Sequence, residues 1–201
     1  MSEDDDRRIQ AIRAEVAQQQ ETMDALVESF VAETIGVIEQ WAPTKARELY
    51  LQQAQQPQGP PDAERVKVEL RSFLTALQKT ARTRLGSREV WHHHKGIEGF
   101  KQGEMASYET TSRRGHVEPP RIVQTAISDV LRSFVASLRS AGVEAPSPEE
   151  LASSIKFTNG MSQTVAKYAV ALNEFRQPLF QLDGLELEKR RAAAVAAWDE
   201  H

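Results

Sequence analysis

Three consecutive histidines, His92, His93 and His94, stand between Trp91 and Lys95 and make up three of the chain's five. Imidazole nitrogens ligate divalent metals, and Glu89 lies three residues before His92. That spacing puts a carboxylate and an imidazole on one helical face, as in carboxylate-bridged di-metal bundles. A divalent metal held by Glu89, His92, His93, His94 and His116 is therefore one chemistry this region offers. Two facts weigh against it. Such bundles need a second Glu-x-x-His pair, which the sequence lacks. Consecutive helical residues also diverge by about 100°, so the triplet cannot converge on one ion. The plainer reading is a row of surface imidazoles that titrate near neutrality, with no cofactor expected.

The same region carries the chain's cationic excess. Residues 62–121 hold 12 Lys and Arg against 8 Asp and Glu, whereas residues 1–61 hold 5 against 11 and residues 122–201 hold 8 against 10. Lys79, Arg82, Arg84, Arg88, Lys95 and Lys101 fall in one short stretch with only Glu89 and Glu98 among them. Trp91 and Phe100 are interleaved, and Arg113 and Arg114 extend the patch. Cations neutralise phosphates or carboxylates, and exposed rings stack on bases. The sequence pI of 5.8, however, is well below that of a dedicated nucleic-acid domain. The composition therefore predicts a non-enzymatic interaction or regulatory module. It would dock an acidic protein partner through this basic, aromatic, His-rich surface. The alternative is a nucleic-acid-binding regulator using residues 79–114, and a metal-dependent enzyme comes third.

A second nucleic-acid signal lies in residues 147–175. Glu150-Leu151-Ala152-Ser153-Ser154-Ile155, a turn, and then Met161-Ser162-Gln163-Thr164-Val165-Ala166-Lys167-Tyr168 resemble a helix-turn-helix layout. A Leu-Ala pair would pack on Val165, with Gln163, Thr164 and Lys167 offered to a groove. The layout departs from the motif where the turn glycine is replaced by Lys156, and its turn is about three residues longer. No Gly-rich phosphate loop, nucleophile elbow or His-Glu-x-x-His helix accompanies it, and no local arrangement pairs a nucleophile with a base.

Helices must position these groups. Ile9, Ile12, Val16, Met23, Leu26 and Phe30 follow a 3-4 spacing, with Gln19 as the one polar slot. This is a coiled-coil-like seam able to pack on the second helix or to pair two copies as a homodimer. Pro43 is expected to kink or restart this helix. The Gln52–Pro61 stretch reads as a linker. Asp62 caps a second helix with Val66, Leu70, Phe73, Leu77 and Ala81 as its core side. Gly86 ends it, and Ser87 caps a short third helix through Trp91.

Periodicity vanishes over 96–120, an irregular loop of a length usually functional or disordered. It returns cleanly at Val123, Ile127, Val130, Leu131, Phe134 and Leu138. Ser147-Pro148-Glu149-Glu150 is a capping box. Pro178 is expected to interrupt the last periodic run, and Asp183–Glu186 to cap a final helix.

The expectation is an all-α helical bundle with a long N-terminal helix and a long irregular central loop. It comprises a self-association segment 1–56, a linker 57–61 and a bundle 62–201. The chain has no cysteine, no apolar run near the roughly 18 residues a membrane span needs, and an acidic rather than apolar start. No membrane association and a cytoplasmic location are expected.

Overall fold

The computed structural model describes residues 3–87, 91 and 121–199. Five helices appear among them: α1 (Glu3–Ala54), α2 (Ala63–Leu85), α3 (Arg121–Ser140), α4 (Pro148–Ser154) and α5 (Asn159–Asp199). No strand occurs among the described residues, and the fold is all-α. None of these helices is long and apolar enough to cross a membrane. The chain divides into two compact units, one built from residues 1–26 and 167–201, the other from residues 27–166.

Both prolines behave differently from the local rule. α1 runs through Pro43, and α5 runs through Pro178 and the Asp183–Glu186 segment, without a break. An interior proline costs about 3 kcal/mol. Around Pro43, however, Ile38, Ala42, Ala46 and Leu49 are all buried while Pro43 faces solvent. Burying each large aliphatic side chain contributes roughly 1.5–3 kcal/mol. Tertiary burial on both sides of the proline therefore outweighs it.

In the second unit, α2 lays Val66, Phe73, Leu77, Ala81 and Leu85 inward. α3 answers with the whole predicted stripe, Val123, Ile127, Val130, Leu131, Phe134 and Leu138, all buried. Phe134 sits between Phe73 of α2, at 5.1 Å, and Trp41 of α1, at 5.4 Å. Asp62 caps α2 by accepting from the Glu64 amide at 2.9 Å. The glutamine- and proline-containing segment between α1 and α2 joins two helices of this same unit, α1 persisting to Ala54. Gln53 also fastens the turn after α3. Its amide donates to the Gly142 carbonyl and its carbonyl accepts from the Glu144 amide, both at 2.8 Å. Gly142 itself has φ +84°, the left-handed conformation that closes a helix at low cost only with glycine.

The start of α5 is tied to α1 by a carboxylate. Thr158 is the N-cap, its hydroxyl oxygen accepting from the Met161 amide at 3.0 Å while the hydroxyl donates to Glu33. A negative charge at a helix N-terminus is favoured by the exposed amides there. Gly160 leaves the room: a Cβ at this position would lie 2.6 Å from both Glu33 carboxylate oxygens.

In the first unit, the leading part of α1 pairs antiparallel with α5. Ile9, Ile12 and Met23 are buried, as are Tyr168, Leu172 and Phe175. Arg13 donates to Glu186 Oε1 at 2.7 Å through Nη2, and Lys189 to Asp6 at 2.7 Å. The leading part of the seam expected to meet the second helix or another copy thus packs against the last helix of its own chain, while Phe30 at its end meets Trp91 in the second unit. Ile9, Ile12 and Met23 are buried in cis, and Val16 and Leu26 are half-buried. The Arg13 hydrogen bond holds the Glu186 carboxyl below its ordinary value; partial burial opposes this, and the charges of Arg13 and Arg190 reinforce it. A depressed folded pKa stabilises the pairing above the unfolded value, and that contribution is lost as pH falls through the folded value.

Two outcomes follow from these contacts. Gly160→Ala should lower stability by about 1 kcal/mol in the native chain, by displacing the Glu33 cap. In a Glu33→Ala background the same change should be neutral or stabilising, as thermal unfolding of the four proteins would show. In carboxyl-detected NMR titrations, Glu186 should titrate below its ordinary value of 4.5. Arg13→Ala should move that midpoint upward, and an unchanged midpoint would refute the pairing.

Candidate docking face on α2

Hydrophobic burial of one side of α2 leaves the other side to solvent. On that outer side lie Lys67, Arg71, Lys79 and Arg82, all exposed. At about 100° per residue they fall within an arc of roughly 120° and span about 22 Å of helix. The polar Ser72 and Thr75 and the 57%-exposed Val68 lie among them. The ion pairs that α2 makes among the described residues are confined to Lys67 with Glu64, at 2.6 Å. Among the described residues, no ion pair joins a carboxylate of α1 to this row. Glu33 is engaged by Thr158, and Glu48 by Lys45 at 2.8 Å. Apart from Lys67, the cations of this row have no carboxylate partner among the described residues, and exposed cations on one rigid helix face attract anionic groups at range and lose that attraction in salt.

Of the sequence-predicted residues, this face gathers Lys79 and Arg82. Arg84 is exposed but lies about 200° round the helix from Arg82, on another side. Trp91 is corrected: it is not an accessible ring. It is 1% exposed, meets Phe30 edge-on at 5.1 Å, and its indole N–H donates to the Leu85 carbonyl. Leu85 is the last residue of α2, so Trp91 satisfies one of the carbonyls that a helix end leaves without a partner. Its role is to hold the end of the basic helix, and stacking on a ligand is excluded by its burial. Arg88, Glu89, His92, His93, His94, Lys95, Glu98, Phe100, Lys101, Arg113, Arg114 and His116 lie outside the described residues, and with them the metal reading and the loop 96–120.

The helix-turn-helix reading loses a contact residue. α4 is only seven residues long, and four residues separate it from α5. Gln163 and Lys167 are exposed, but Thr164 is buried at 8% and cannot enter a groove.

Sequence reasoning missed Lys67 and Arg71. Counting charges along the chain started the patch at Lys79, whereas counting them round a helix joins Lys67, Arg71, Lys79 and Arg82. Beside Lys67 opens a cleft of about 310 Å³ between the end of α1 and the start of α2. Ala46, Tyr50, Leu51, Ala63, Val66 and Leu70 give it apolar walls, and Pro43, Arg47 and Lys67 complete them. Its size falls at the lower end of sites that take a small molecule or an anchoring side chain.

Trp91→Ala should destabilise the fold by about 3–5 kcal/mol, as expected for removing a buried aromatic. Trp91→Phe should cost less, retaining the contact with Phe30 but losing the bond to Leu85. Chemical denaturation measures both. A Trp91→Ala protein of native stability would return the ring to the surface. Comparison of the chain with protein-family models, with curated proteins and with solved structures gives no match.

Proposed function

We propose that the protein is a non-enzymatic docking module that binds an acidic, amphipathic helical segment of a partner protein along α2. The observation that carries this reading is the continuity between the row Lys67, Arg71, Lys79 and Arg82 and the apolar cleft. Lys67 belongs to both, and Arg47 supplies a second cation at the cleft. A partner helix with carboxylates on one flank and a large apolar anchor on the other answers both features. The cations would set encounter rate and orientation, while the anchor buried against Ala46, Val66 and Leu70 would supply most of the affinity.

The face fits a protein better than a nucleic acid. Base stacking needs accessible rings, and Trp91, the ring the sequence places among these cations, is buried, as is Phe73 on α2 itself. The net charge of −4 also adds a repulsive background to a phosphate polymer.

Fluorescence anisotropy separates the readings. Labelled helical peptides of equal negative charge, with and without an apolar stripe, would be titrated alongside duplex DNA. The amphipathic peptide should bind at least about tenfold tighter than its non-amphipathic counterpart. Arg71→Glu with Arg82→Glu should weaken it and reduce its salt dependence, and Leu70→Asp should remove the preference for the stripe. Tighter binding of duplex DNA, with a steep salt slope, would replace this reading by the nucleic-acid one.

A further inference from the structure

The C-terminal half of α5 is apolar on a side its own chain leaves open. Phe180, Leu187, Val195 and Trp198 are 73, 53, 60 and 84% exposed. At about 100° per residue they fall within an arc of roughly 80°, with Gly184 and Arg191 in the same arc and Ala194 about 20° beyond its edge. The side of α5 gripped by α1, through Glu186 and Lys189, lies opposite. One helix with two apolar sides packs against two neighbours, and the first unit supplies one of them.

We propose that this stripe is a homodimer contact, in which two copies of α5 pack antiparallel about a two-fold axis at Leu187. The order of residues along the stripe is self-complementary in that register. Leu187 meets Leu187 on the axis, and Phe180 meets the small Ala194 of the second copy, a large residue facing a small one. Asp183 and Arg191, both exposed, stand four residues to either side of Leu187. The axis therefore places each Asp183 opposite the Arg191 of the other copy, twice. A parallel pair would set Asp183 on Asp183 and Arg191 on Arg191, a repulsive arrangement. An unrelated partner would have no need of this symmetry. The four apolar side chains offer on the order of 500 Å² per copy, about 1,000 Å² for the pair, at the low end of specific interfaces. A reversible dimer with a dissociation constant on the order of micromolar is expected.

The chain has no cysteine, so single introduced thiols report the register cleanly. In the full chain under mild oxidation, Leu187→Cys should cross-link to a dimer and Val195→Cys should not. The Val195 positions of the two copies would sit roughly 24 Å apart along the helices. Sedimentation equilibrium should show monomer and dimer exchanging with concentration. Leu187→Glu should weaken the dimer at least about tenfold. Asp183→Arg should weaken it about fivefold, with Asp183→Arg plus Arg191→Asp restoring it. These residues are exposed, so far-UV circular dichroism should be unchanged throughout. A monomer at every concentration, a dimer indifferent to Leu187→Glu, or equal cross-linking at both positions would overturn the proposal. Binding of peptides at α2 reads a separate surface and is not affected by any of these outcomes.

Discussion

Val66, Phe73, Leu77, Ala81 and Leu85 leave water together, and that burial sets the rotation of α2 about its own axis. The second unit depends on it. A roll of one residue, about 100°, would bring Phe73 toward solvent and carry cations from the outer row toward the core. Burying an unpaired charge costs several kcal/mol, and exposing an aromatic forfeits a further 1.5–3 kcal/mol or so. Both penalties act in the same direction. The basic face is therefore enforced by the apolar one, and its geometry is as rigid as the core that lies beneath it.

The same constraint explains the two ends of the helix. Asp62 satisfies an amide at the start, and the indole of Trp91 satisfies a carbonyl at the finish. With Phe30 packed edge-on against the indole, the end of α2 is fixed to α1 through a ring contact and a hydrogen bond rather than through surface charge. An aromatic among arginines suggests a binding surface when read as composition. Read as packing, the ring and the arginines do different jobs: one holds the helix, and others on it face the solvent.

What the sequence makes legible divides along this line. The periodicity of α3 and the cap of α4 are read correctly, whereas Leu70, expected on the core side of α2, is only half-buried. Every member of the α3 stripe is buried, and the Ser147–Glu150 capping box closes as its residue types predict. Rules about single residues are read less well. Pro43 and Pro178 carry the local signature of a break, yet local cost is compared with burial that only the folded chain supplies. The N-terminal seam is visible as a 3-4 spacing, but spacing says that a surface is apolar and not what covers it. On the basic face of α2, Lys67 and Arg71 join Lys79 and Arg82 only when charge is followed round the helix. The cleft beside them is formed by two helices meeting, and no string of residues records it.

Helical faces are thus assigned by competition. Each long helix has a limited circumference, and the strongest apolar arc claims the nearest core. In α2 the remaining arc is cationic, and water accepts it without penalty. In α5 beyond Pro178 the remaining arc is mainly apolar: phenylalanine, leucine, valine and tryptophan stay in solvent, with Arg191 among them, on the side facing away from α1. Scattered exposed apolar residues need no explanation, but four on one narrow arc form a contiguous strip, and strips of that kind mark contacts. The two helices therefore present complementary kinds of incompleteness. One offers charge with an apolar anchor point beside it, suited to a transient partner met by electrostatic attraction. The other offers apolar area flanked by one acid and one base spaced evenly about its midpoint, a pattern that makes sense when read against itself.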